Sequence, residues 1–151
     1  MAYSTFIASL TALEIATFRE GSGELMSASK IEKVSHYLAY SVRRQPLGNL
    51  LSRAIDEGQL LRKDLWHPLR APVVKSEHEV KTLWADLNEA WMMVTSEATV
   101  SEDDWYRIEI NKLLATYDHA AQHSECIVSI LEPPADSERA RAVKIPVSLV
   151  V

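Results

Sequence analysis

Apolar and polar residues alternate along this chain with periods that change from segment to segment, and those periods predict its elements. Thr11-Ala-Leu-Glu14 reads as a capping box opening a helix, with Leu10 and Ile15 placed to form a hydrophobic staple across its start. Gly21-Ser-Gly23 should end that helix. Ser29-Lys-Ile-Glu32 repeats the box, and Ile31, Val34, Leu38 and Val42 then fall on one helical face. A third helix is expected after Pro46, through Leu50, Leu51, Ala54 and Ile55 to Gly58. Ser76-Glu-His-Glu79 opens the clearest helix, whose stripe is Val80, Leu83, Trp84, Leu87, Trp91 and Val94. Ser101-Glu-Asp-Asp104 opens the last, with Tyr106, Ile110, Leu113, Leu114, Tyr117 and Ala121 inward.

Strand signals are fewer. Tyr3 to Ser9 should be the first strand. Arg70 to Lys75 contains Pro72 and suits a sheet edge. Cys126 to Leu131 is a compact apolar run and reads as a central strand, ended by Pro133-Pro134. The expected fold class is therefore α+β: a small, mostly antiparallel sheet with one face hidden by about five helices. Residues 1–131 form the expected single domain, and residues 132–151 a C-terminal extension in which Val143 to Val151 adds a strand or docks loosely.

Composition narrows the function classes. With 151 residues and 47% hydrophobic content, the chain has the size and core of one globular domain. A net charge of −5 opposes general binding to phosphate backbones, so no nucleic-acid partner is expected. One cysteine, no signal-peptide pattern and no long apolar stretch fit a cytoplasmic protein with no membrane partner. Charge is also unevenly spread. From Lys30 to Arg70 there are eight basic residues against four acidic ones; from Ser76 to Glu109 there are nine acidic against two basic.

Candidate chemistry is sparse. His119 and His123 stand four apart near a helix end, where one metal ion could join them. Ala120 occupies the place of the glutamate in the metalloprotease pattern, and histidines also favour helix C-termini for electrostatic reasons. Cys126, at the head of an apolar strand, reads as a buried inert thiol. Glu102, Asp103 and Asp104 suit a solvated first helical turn and lack calcium-loop spacing. The four glycines form no phosphate loop, and no cofactor is expected.

Several ordered features together resemble the YfbM-like family of small bacterial proteins. They are the strand and helix within Tyr3 to Phe18, His36-Tyr37-Leu38, Leu51-Ser-Arg-Ala-Ile55 with Gly58, and Leu113, Leu114 and Tyr117 ahead of the apolar strand. Glu32 stands where that family would have tryptophan, and residues 132–151 extend beyond its usual end. The resemblance implies a fold and carries over no catalytic residue.

Small size, acidity and the lack of a catalytic pattern lead to a non-enzymatic binding protein. The reading is an immunity-type inhibitor that meets a basic protein partner, a cognate toxin or effector, through Glu97, Glu102, Asp103, Asp104, Trp105 and Glu109. The alternatives are a metal-assisted hydrolase using His119 and His123, or an oligomeric regulatory scaffold. The chain is expected to be a monomer or a homodimer.

Overall fold

The computed structural model describes residues 4–17, 30–35, 37–38, 42, 44–60, 73–96 and 105–132. In chain order the elements are β1 (Ser4–Leu10), α1 (Ala12–Thr17), β2 (Lys30–Ser35), α2 (Leu47–Asp56), β3 (Gln59–Leu60), β4 (Val73–Lys75), α3 (Glu77–Ser96), α4 (Trp105–Gln122) and β5 (Cys126–Glu132). The sheet has the order β2-β1-β5-β4-β3, and all its pairings are antiparallel. The α+β class and the antiparallel sheet agree with the sequence reading, and β5 is central as its apolar run predicts. The described residues hold four helices rather than about five.

The missing helix is explained by β2. Lys30–Ser35 pairs along β1, with Ile31 opposite Ala8 and Val34 opposite Thr5. The spacing of Ile31 and Val34 imitates a helical stripe. In the strand these two residues point to opposite faces, and each meets a different core. A second correction concerns the edge. Val73–Lys75 lies between β5 and β3, and the edge position falls to Gln59–Leu60. The helix stop at Gly21-Ser-Gly23, the box at Ser29 and the extension 132–151 lie largely outside the described residues, which reach only Glu132.

Both faces of the sheet are buried, not one. Odd-numbered positions of β1 and β5, such as Ile7 and Ile127, join the helices in the larger core. There they meet Leu51 and Ile55 of α2, Leu83 and Leu87 of α3, and Ile110, Leu113 and Tyr117 of α4. Even-numbered positions form the second core: Phe6, Ala8 and Leu10 with Val128 and Ile130, joined by Ile15 of α1. Leu10 and Ile15 share this core, as the staple requires.

Two of the three capping boxes fall within the described residues, and both form. Thr11 N–H donates to Glu14 Oε1 at 2.9 Å, and Glu14 N–H donates to Thr11 Oγ1 at 3.2 Å. At α3, Glu79 N–H donates to Ser76 Oγ at 3.3 Å, while the Ser76 hydroxyl lies 3.0 Å from Glu79 Oε1. The stripe on α3 is buried as its period predicts, with Trp91 in the core and Trp84 packed against it. At the far end of α4, Ser124 takes a left-handed backbone (φ 53°), and Glu125 N–H reaches back to the Ala120 carbonyl at 2.9 Å. That bond is the closing contact of a Schellman turn, which delivers the chain into β5.

Candidate functional site

A groove runs between α2 and α3. One stripe of α2, with Pro46, Leu50, Arg53 and Glu57, faces one stripe of α3, with Glu79, Thr82, Asp86, Glu89 and Met93. These spacings of three and four residues keep each set on one helical face. The start of α2 lies beside the second half of α3, and its end beside the first half, so the helices run in opposite senses. Two hollows occupy the groove, of about 290 Å³ near the end of α2 and about 260 Å³ near its start.

The hollow at the end of α2 is of mixed charge. Lys75 comes from β4 and is almost fully buried. Its ammonium donates to the Glu57 carbonyl and, at 3.5 Å, to that of Ala54. It thereby neutralises the C-terminal carbonyls of α2, where helix geometry leaves acceptors open and favours positive charge. Tyr117 Oη donates to the same Ala54 carbonyl at 2.7 Å. Burial, reinforced by the charge of Glu79 and opposed by Arg53, raises the Tyr117 pKa well above its ordinary value. Arg53 pairs with Glu57 at 3.7 Å across one helical turn, and both side chains are exposed. Gly58 is fixed by its neighbour: a Cβ there would lie 2.7 Å from the Val74 carbonyl oxygen.

The hollow at the start of α2 is simpler. Its floor and walls are Pro46, Leu50, Ala90 and Met93, and its charged groups are Asp86 and Glu89. Both carboxylates are exposed, and neither takes part in an ion pair among the described residues. Met93 is 57% exposed at the lip.

The residues singled out from the sequence are scattered over other places. Glu97, Glu102, Asp103 and Asp104 lie outside the described residues. Trp105 begins α4, is 45% exposed, and stands 6.4 Å from Tyr37, ring centre to ring centre. Glu109 is committed to the fold. It accepts from the Ser35 backbone N–H at 3.2 Å and pairs with Lys112 at 3.1 Å, while Lys112 Nζ donates to the Lys33 carbonyl at 2.9 Å. Two α4 side chains thus satisfy backbone groups of β2, at the end of the sheet's strand order, where unpaired groups would otherwise be open. The sequence signal for this role was the Glu109–Lys112 spacing, which α4 turns toward its own fold.

His119 and His123 do share a face of α4, with rings stacked 4.2 Å apart. His123 Nδ1 lies 2.8 Å from the His119 carbonyl, and His119 Nε2 lies 3.7 Å from Glu125 Oε1. Glu125 in turn accepts from the buried Ser9 hydroxyl at 2.6 Å. The pair is thereby tied to the helix end and to β1. Among the described residues no group of three or more His, Cys, Asp or Glu side chains is arranged around a common point for a metal ion. Cys126 is buried, and no described helix is long and apolar enough to cross a membrane.

The acidic groove was legible only in part. Glu79, Asp86 and Glu89 sit at intervals of seven and three, which marks a common face once α3 is recognised. That α2 lies alongside is a tertiary fact with no local signal. No family model, curated protein or solved structure matches the chain, so nothing in these comparisons bears on the resemblance to YfbM-like proteins.

Proposed function

We propose that the protein is a non-enzymatic binding protein of the immunity type, which neutralises a basic toxin by covering it with an acidic surface. The observation that carries this reading is the row of exposed carboxylates on α3. Glu79, Asp86 and Glu89 face outward together, and Asp86 and Glu89 are not neutralised by any described arginine or lysine. Trp105 supplies an exposed aromatic side chain of the kind that anchors protein interfaces. Glu97, Glu102, Asp103 and Asp104 extend the proposed contact set along the chain between α3 and α4. Glu109 leaves the set, because its carboxylate already holds β2 and Lys112.

An acidic surface that meets a basic one accelerates encounter, and salt screens that attraction. The test is co-expression with the product of the adjacent reading frame, followed by stopped-flow association at rising ionic strength. A stable complex is expected, with an on-rate that falls by about tenfold or more between low and physiological salt. No complex, or a salt-independent on-rate, overturns the reading.

A further inference from the structure

We infer that the hollow between the start of α2 and the second half of α3 receives a lysine or arginine side chain from a segment of the protein partner. The inference rests on the binding-protein reading and gives it a place and a chemistry. A long cationic side chain has two parts, an aliphatic stem and a charged head, and is best satisfied where apolar wall and carboxylate adjoin. The hollow supplies that combination: Pro46, Leu50, Ala90 and Met93 line about 260 Å³, and Asp86 and Glu89 stand on the same lip one turn apart. A neutral apolar anchor would leave both carboxylates facing it without compensation, and an anionic group would be repelled. Arg53 lies further along α2, paired with Glu57, and Lys75 is held at the carbonyls of Ala54 and Glu57. Neither is among the residues lining this hollow. A second hollow, beside Glu79 and Thr82, lies further along the same two helices, so a segment that seats one side chain here can place another there.

The probe is a twelve-residue peptide of alternating leucine and arginine, titrated into the isotope-labelled full chain and followed by amide shifts. Two peptides serve as controls, one with glutamate for arginine and one with glycine for leucine. Shifts centred on Leu50, Ala90 and Met93 are expected for both arginine-containing peptides and not for the glutamate one. Shifts that vanish when glycine replaces leucine would make the anchor apolar rather than cationic and overturn the inference. Asp86→Lys should weaken its binding about tenfold or more. Glu77→Lys makes the same change of net charge half a helical circumference away on α3, and should weaken binding less than about threefold. Thermal melts of both variants confirm that the fold is retained.

Equal losses from the two variants would reduce the effect to net charge and overturn the inference. Shifts centred on Trp105 instead would remove the hollow as the seat while leaving the acidic-surface reading intact. Binding of the leucine-arginine peptide nowhere on the chain would remove both. Self-association through the groove, seen as a dimer by sedimentation, would assign it to a second copy and also overturn the inference.

Discussion

Ser129 and Tyr117 show how differently two buried hydroxyls can stand in one core. Ser129 is fully buried in β5, opposite Ile7 and Val73, and its Oγ has no hydrogen-bond partner among the described residues. A buried hydroxyl without a partner costs about 1–3 kcal/mol of lost solvation. Ser129→Ala is therefore expected to leave the fold intact and to raise stability by about 1 kcal/mol, read from urea midpoints at unchanged m-value. Tyr117 is satisfied through Ala54, and its pKa is raised in the folded chain. Above pH about 10, the ordinary tyrosine value, the unfolded chain releases this proton while the folded chain keeps it. Stability from this group is thus fully present below that pH and is lost as pH rises toward the folded pKa. The loss should follow a slope of about 1.4 kcal/mol per pH unit for the one proton. Tyr117→Phe should cost about 1 kcal/mol at neutral pH and flatten that alkaline slope, as measured by chemical denaturation at pH 8 to 11.

At the scale of elements, the capping boxes of α1 and α3 declare themselves locally, while the strands do so unevenly. Thr11 with Glu14, and Ser76 with Glu79, make the reciprocal bonds that their spacing predicts. Ser76→Ala removes an N-cap and should destabilise the protein by about 1 kcal/mol, visible as a lowered urea midpoint; Ser76→Asp should restore most of it. The stripe of α3 and the apolar run of β5 were equally readable, because the stripe residues from Val80 to Val94 and the run from Cys126 to Ile130 are buried or packed against a core. β2 was not. Val34 serves the helix-side core and Ile31 the opposite one, so two apolar residues three apart mean a two-faced strand here and a one-faced helix elsewhere. Only the ladder with β1 distinguishes them, and that pairing spans dozens of residues. The same limit hid Glu109, whose carboxylate binds a backbone N–H 74 positions away. The groove depends on α2 being laid against α3, a placement set by the shared core of Leu51, Leu83 and Leu87.

For the whole molecule, most of the acidic residues expected to meet a partner lie between α3 and α4, outside the described residues; the described carboxylates are exposed at Glu79, Asp86 and Glu89 on α3 and engaged with β2 and Lys112 at Glu109. The molecule's acidic surface is thus graded along one groove, from mixed charge beside Lys75 to purely negative beside Met93. A docking segment whose cations were confined to one end would be oriented by that gradient. The strand order carries a different consequence. β1 with β2, and β4 with β3, are two separate ladders that meet only through β5, the last described element of the chain. During synthesis these ribbons have no seam until the residues up to Glu132 clear the ribosome. Their apolar faces must wait, and a message cut short after α4 leaves a product that quality-control proteases can find.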